Sequence, residues 1–402
     1  MQTTTPAAKT WIAALLAAAS AAGPSAARAA NPPGDAEIVF GLSAPFSGPS
    51  REYGRQLKVG YEVAFAAAND AGGVAGRKLR LVARDDGYDV ARTQVAVKDL
   101  LESHKVFGLV GVFGTMNSAA VLPYVLQSGT LMYAPYTGSS LLRNDPPDRY
   151  VFNYRPSYPE ETSAAVKYLV EVKRIRPSEI AVFMQDDGFG EGGWKGVERT
   201  MRRYRRDPGS VLRVTYPRNT VDVEAAVKAV REHEGRVRAV VMVAVYKPAA
   251  RFIERLRSNG AQNVIFTNVS AVGPNELAEQ LTMLGPKYAK NVIVTQVVPL
   301  PVSRATAILK YQDALKRYTP GEQPDFVSLE AFVAANVLIE ALKRAGRTLT
   351  TDAVVDALES IRGLDLGIGV PLTFGPSEHQ ASHKVWGTVL DANGGYRTIE
   401  LD

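Results

Sequence analysis

Residues 40–49 read Phe-Gly-Leu-Ser-Ala-Pro-Phe-Ser-Gly-Pro, Tyr53-Gly54 follows, and an amphipathic run then stops at Asn69-Asp70-Ala71-Gly72-Gly73-Val74-Ala75-Gly76-Arg77. The stretch spells a strand, a polar loop and a helix. Ile38, Phe40 and Leu42 alternate with residues that a sheet buries on its other face, so 35–42 is predicted as a strand. Val59, Val63, Ala66 and Ala67 fall on one stripe at helical spacing, and the Gly72-Gly73 pair ends the helix where a side chain would be strained. The loop between them carries Ser43, Ser47 and Ser50, with its backbone amides exposed at a strand's carboxyl end. Open α/β sheets bind small polar ligands at that place. The loop holds no obvious reactive group.

Outward from this unit the rhythm repeats. Strand-like runs at 38–42, 79–83, 106–112 and 131–134 alternate with helical stretches near 55–71, 91–103 and 117–128, the mark of a parallel sheet with helices on both faces. After Tyr150-Val151-Phe152-Asn153-Tyr154-Arg155 it begins again, with strands at 180–184, 211–216, 238–245 and 264–267 between helices near 159–173, 192–205, 222–233 and 248–259. One sheet could hardly take all of these strands, so the chain is expected to be α/β with two doubly wound parallel-sheet lobes. A strand-like run at 292–301 leads into helices near 304–318, 328–345 and 351–360. The segments 371–374 and 385–390 read as short strands or a hairpin.

Lys9, the apolar stretch 11–22 and Ala27-Arg28-Ala29 form a secretory signal, with cleavage expected near Ala29. An apolar run of that length is too short to span a bilayer, and none like it recurs, so the mature chain is expected to be soluble and periplasmic. The sequence has no cysteine. Disulfides, thiolate ligands, thiol nucleophiles and a lipid-bearing cysteine are thereby excluded. Roughly 370 of the 402 residues remain after the signal, comfortable for two domains of ~100–200 residues each. The formal charge is +6, of which Lys9 and Arg28 supply two units, leaving +4. The densest basic run, 199–206, sits late in a predicted helix, where cations suit the dipole; it reads as a solvated face, and no nucleic acid is expected.

Gly188-Phe189-Gly190-Glu191-Gly192-Gly193 fits the G-x-G-x-x-G dinucleotide pattern between a strand and a helix. A cofactor-binding unit should also present an acid at the end of the next strand to hold a ribose, and that strand ends Val214-Thr215-Tyr216-Pro217-Arg218. A nicotinamide-dependent enzyme built on this turn is the alternative reading. Asp85, Asp86 and Asp89 are too few and irregular for a cation loop, and Asp89 stands where it would cap the helix near residue 91. His379 and His383 are four apart without a third ligand beside them, so surface histidines and no metal are expected. No G-x-S-x-G elbow, P-loop or S-x-x-K pair occurs in the mature region. Neither an enzyme nor a bound cofactor is expected on this reading.

Recognition is better served. Thr115-Met116-Asn117-Ser118 follows the strand at 106–112 and begins a helix, so hydroxyls and free amides converge where a carboxylate would fit. Pro135-Tyr136-Thr137-Gly138-Ser139-Ser140 does the same after the next strand, and Gly138 lets backbone come close to a ligand. Each turn could be a helix cap alone. Two at neighbouring strand ends favour binding.

The order strand, Ser-Gly-Pro, Tyr-Gly, helix, Asn-Asp-Ala-Gly-Gly-Val-Ala-Gly-Arg-Lys-Leu, then Asp85-Asp86 resembles the periplasmic leucine/isoleucine/valine-binding proteins that feed ABC importers. The likeness runs through roughly the whole mature chain. It implies the type I periplasmic binding fold, whose chain crosses between lobes near 153–156, 295–299 and 371–374 to make a three-strand hinge. Lobe 1 would hold 30–154 and 296–372, and lobe 2 would hold 155–295 and 373–402. It further implies that Thr115, with Asn117 in the same turn, meets a ligand's α-carboxylate. Tyr136 and Gly138 would meet its polar end. The family often has a threonine where Gly138 stands, and Thr137 or Ser139 could make the hydrogen bond that such a threonine supplies. Tyr53 would line the side-chain pocket, while Phe189 and Tyr246 would close over the ligand from lobe 2.

One departure concerns the ammonium group. The family places a glutamate after the strand at 264–267, and this sequence has Thr267-Asn268-Val269-Ser270-Ala271-Val272-Gly273, leaving Asn268 as the polar candidate there. A buried ammonium with no anionic partner is costly. Asp187 or Glu330 could substitute, or the ligand could lack an ammonium; the aromatic lining would suit an aryl carboxylate. The implied partners are a small carboxylated solute and the membrane subunits of an ABC importer, with a monomer expected. A sensory module using the same lobes is a further alternative.

Overall fold

The computed structural model describes residue 34 and residues 36–401. The secretory signal expected over 1–29 lies outside the described residues. The first half of the chain builds β1 (Glu37–Ala44), α1 (Arg51–Asp70), β2 (Lys78–Asp85), α2 (Val90–Glu102), β3 (Gly108–Val110), α3 (Thr115–Gln127), β4 (Leu131–Tyr133) and β5 (Val151–Phe152). Their sheet is parallel throughout, in the order β2-β1-β3-β4-β5. Asp89 caps α2 by accepting from the amide of Arg92 at 2.9 Å, as its position before that helix predicts.

The chain then forms α4 (Tyr158–Lys167), β6 (Ile180–Gln185), α5 (Gly188–Arg203), β7 (Leu212–Tyr216), α6 (Glu224–Arg231), β8 (Ala239–Val243), α7 (Tyr246–Ser258), β9 (Ile265–Asn268), α8 (Pro274–Leu284), α9 (Pro286–Ala289) and β10 (Val292–Gln296). After α10 (Thr306–Tyr318), α11 (Phe326–Ala345) and α12 (Thr351–Glu359), it ends in β11 (Trp386–Leu390) and β12 (Tyr396–Ile399). The second sheet runs β12-β11-β10-β9-β8-β6-β7. β3, β4, β6, β8 and β10 are buried along their whole length, because helices cover both faces, and so they read as unbroken apolar runs. β7, at an edge, alternates buried and exposed residues.

The second sheet is not wholly parallel. β11 lies antiparallel to β10 and β12 antiparallel to β11. The strand expected over 385–390 forms as 386–390, and its hairpin partner is 396–399 rather than 371–374, with Asp391 accepting from the amides of Asn393 and Gly395 in the turn. Leu372 makes only a single bridge, to Leu364.

The chain passes from one sheet's surroundings to the other three times. α11 returns to the first sheet, where the Tyr133 hydroxyl donates to Ala334 O at 2.9 Å, while β10, β11 and β12 belong to the second. The passages are tied to one another. The amide of Asn153 donates to His379 O at 2.7 Å, Ala381 donates back to Asn153 O at 2.9 Å, and the Tyr154 hydroxyl reaches Val297 O at 3.3 Å. His379, expected at the surface, is buried here: its ring stacks on Phe152 at 3.8 Å and bonds Val151 O and Glu359. The aromatic neighbour and its two polar partners lie far away in sequence.

Candidate functional site

The carboxyl ends of β1, β3 and β4 meet elements of the second sheet at a closed seam, where the facing residues are buried. The serine loop after β1 turns its first two amides and two of its hydroxyls onto the paired aspartates instead. Asp85 accepts from the amide of Phe46 at 2.8 Å, the amide of Ser47 and the Ser47 hydroxyl at 2.6 Å, while Asp86 accepts from the Ser43 hydroxyl. Burial alone would raise the Asp85 carboxyl, but these bonds outweigh it and hold it at about 2. The paired aspartates thus fasten the loop.

The two hydroxyl-bearing turns lie side by side beyond β3 and β4. Thr115 opens α3 behind Gly114, so no side chain caps that helix, and Thr115 Oγ1 lies 2.8 Å from Thr137 Oγ1. Both threonines are buried. The close approach that Gly138 permits is taken by Tyr158: a Cβ on Gly138 would sit 2.7 Å from both the Tyr158 nitrogen and its ring, and the Tyr158 amide donates to Gly138 O. Ser139 Oγ is used by the amide of Leu141.

Aromatic rings fill the space beside this pair. Tyr53 lies 4.6 Å from Phe113, 6.0 Å from Tyr136 and 5.3 Å from Tyr246, and Phe113 stacks on Tyr136. Such pairs contribute about 0.5–1.5 kcal/mol each beyond their buried area. The cluster joins the lobes: the Tyr53 hydroxyl donates to Ala271 O at 2.9 Å and the Tyr246 hydroxyl to Pro49 O at 2.6 Å. Phe189 lies 5.0 Å from Tyr158, further along the same wall.

Both acids considered for an ammonium are already neutralised. Glu330 forms a two-pronged ion pair with Arg155, at 2.8 and 2.5 Å, and the Arg155 guanidinium lies 4.0 Å over the Tyr136 ring. Burial would lower Arg155, but Glu330 outweighs it and keeps the guanidinium charged. Asp187 caps α5 through the amide of Phe189 and pairs with Arg218 at 3.0 Å. Arg218 crosses the cleft to Tyr88 O and to Asn117 Oδ1 and covers the Tyr88 ring at 3.8 Å. Asn117 also donates to Thr93, so its amide is spent within the protein. Asn268 bonds the backbone of Ala244 and Val269, fixing the ends of β8 and β9.

Arg155, Arg218, Tyr88, Phe113 and Tyr158 belong to the cleft although no motif in the sequence singles them out. Tyr88 has a left-handed φ of 62°, which costs a residue with a side chain roughly 1–2 kcal/mol and is held by Arg218 and by the Gln185 amide at 2.9 Å. The local signal for it was the Asp-Asp-Gly turn just before. The 188–193 turn serves packing. Gly190 lets Gln185 O approach and Gly193 fits against Val243, while the Asp187 carboxylate holds the helix end that a dinucleotide phosphate would need.

A family model described as periplasmic binding protein matches residues 37–395. The Leu/Ile/Val-binding protein homolog 7 of Brucella abortus (strain 2308) is 27% identical over 350 residues, 84% of each chain. A possible leucine/isoleucine/valine-binding protein from Rhodopirellula baltica SH 1 superposes with a TM-score of 0.86 at 34% identity, covering 91% of this chain and 97% of that one. A branched chain amino acid ABC transporter from Thermus thermophilus with bound valine shares the fold, with a TM-score of 0.78 at 19% identity over 91% of this chain and 96% of that one. With lobes, cleft and tied crossings of this type I architecture, and a match spanning nearly all of the described residues, the chain belongs to the periplasmic binding protein family.

Proposed function

We propose that this protein is exported, captures a small carboxylated solute between its lobes and delivers it to an ABC importer. The observation that carries the reading is the Thr115–Thr137 hydroxyl pair, 2.8 Å apart beyond the carboxyl ends of adjacent parallel strands, with Thr137 Oγ1 also accepting from the Ser139 amide and an aromatic cluster drawn from both lobes nearby. Hydroxyls and first-turn amides suit a carboxylate, and shutting the cleft strengthens those bonds by excluding water. The tied crossings supply the hinge, and one chain supplies both walls, so a monomer suffices. Amino acids and their amides of the branched-chain type are the first ligands to test, because the relatives carry those names. The ring cluster, with both acids near the threonines already paired, favours aromatic carboxylates as a second reading.

Thermal-shift screening of the chain from residue 30 against amino acids, amides and aromatic acids tests the proposal. A true ligand at a hundredfold excess over its dissociation constant adds ~2.7 kcal/mol to stability, a readily seen shift. A screen in which no carboxylate moves the transition, or one in which a ligand is chemically converted, would overturn it.

A further inference from the structure

Resting on that solute-binding reading, we propose that the ligand carries its positive charge at the end away from its carboxylate: the cleft is built for an ω-amino or ω-guanidino carboxylate, whose cationic nitrogen is taken by Glu276 against the rings of Tyr53 and Tyr246.

Glu276 lies in the first turn of α8, only 9% exposed, and its Oε2 has no hydrogen-bond partner. Gly273 shows where that oxygen sits. A Cβ there would lie 3.1 Å from Glu276 Oε2, 3.1 Å from Tyr53 Cε1 and 3.2 Å from Tyr246 Cδ1. The carboxyl group therefore adjoins the two rings that close the cleft. Both ring hydroxyls are already spent on the carbonyls of Ala271 and Pro49, so these tyrosines present ring carbons toward Glu276 and no spare donor. A carboxylate beside aromatic rings is a cation-binding set.

Two further buried oxygens want donors. Asp325 Oδ2 and Gln56 Oε1 are also without partners, Gln56 standing one turn beyond Tyr53 on α1. Burial, and next the charge of Asp325, push the Glu276 carboxyl well above its ordinary range, and burial raises Asp325 to about 6. Protonating one acid adds a single donor between the unmet oxygens of Glu276 and Asp325, whereas an ammonium brings three donors and a guanidinium five, with the charge to match. At the Thr115–Thr137 end the situation is reversed, since Glu330 and Asp187 hold Arg155 and Arg218. An α-ammonium has no free acid there. The free acid stands at the far side of the rings.

The mature chain should be titrated calorimetrically with 5-aminopentanoate, 6-aminohexanoate and 4-guanidinobutanoate, and in parallel with pentanoate, leucine and benzoate. The expected result is at least tenfold tighter binding of an aminated or guanidinated probe than of its uncharged counterpart. In Glu276→Gln that preference should collapse toward unity, and Asp325→Asn should reduce it in the same direction. Thermal unfolding of the unliganded variants establishes that they are folded, and removing an unpaired buried acid should leave Glu276→Gln at least as stable as the parent. If leucine, benzoate or pentanoate binds and the aminated probes bind more weakly, the proposal fails while the solute-binding reading stands. It fails in the same way if Glu276→Gln keeps the preference. Silence from all six probes overturns this proposal, and the wider carboxylate screen then decides the solute-binding reading.

Discussion

At the scale of single residues, the cleft separates contacts that local sequence announces from those it conceals. Thr115 and Thr137 were legible because each follows an apolar strand and sits in a turn, so the chain itself places their hydroxyls. Arg155 and Glu330 were not legible as a pair, being 175 residues apart and joined only when a lobe crossing meets α11. Glu276 lay hidden for a similar reason: it follows its strand by several residues and faces rings from α1 and α7. Replacing Thr137 with valine strips the partner from the Thr115 hydroxyl and should weaken whichever carboxylate binds by about 10- to 100-fold, given a cost of ~1–3 kcal/mol for an unmet buried polar group; calorimetry on that ligand checks it. Arg155→Met leaves Glu330 as a buried, unpaired charge and should cost about 3–5 kcal/mol in urea unfolding. The double variant Arg155→Met, Glu330→Leu should recover most of that loss, because the charge goes with its partner.

At the scale of elements, strands and helices with both neighbours in one lobe were easiest to read. Buried strands announced themselves as apolar runs. α8 was missed, although Pro274 sits at its first turn where proline is favoured, because the segment 269–273 before it lacks a capping side chain. The hairpin was displaced because 396–399 is an edge strand with little apolar character. The hinge has its own electrostatics. Glu160 closes the capping box of α4 and also binds His383 at 2.6 Å and Gln380 at 3.0 Å, linking the first and third crossings. Burial would raise Glu160, but the bonds from His383 and Ser157 outweigh it and hold the carboxyl at about 2. The same bond from Glu160, against a smaller loss from burial, raises His383 above its ordinary 6.5. A raised histidine contributes below its unfolded value and is lost as pH climbs through the folded one. A lowered glutamate contributes above its unfolded value and is lost as pH falls toward about 2. The stability difference between the protein and His383→Ala should therefore be greatest between about pH 5 and 6.5 and shrink on the alkaline side; since His383 is more than half exposed, the difference should stay below about 1 kcal/mol. Melting curves across pH 4–9 would expose a contrary trend.

At the scale of the whole molecule, the βα rhythm made two lobes legible, since one sheet cannot hold so many strands. How the lobes grip one another was not legible, because those contacts join residues that no local pattern relates. Arg218 is central to that grip through Asp187, Tyr88 and Asn117. Arg218→Ala should favour the open form, giving a larger radius of gyration in solution scattering without ligand and weaker binding, because the competent form is less populated. A scattering curve identical to the parent's would count against this role. The final hairpin has one more implication. β11 and β12, the last strands among the described residues, extend the sheet begun by β6, and α11 packs beside β4 from about two hundred residues further along. Neither half is continuous along the chain, so each sheet's packing is completed by a segment that follows the other sheet's strands.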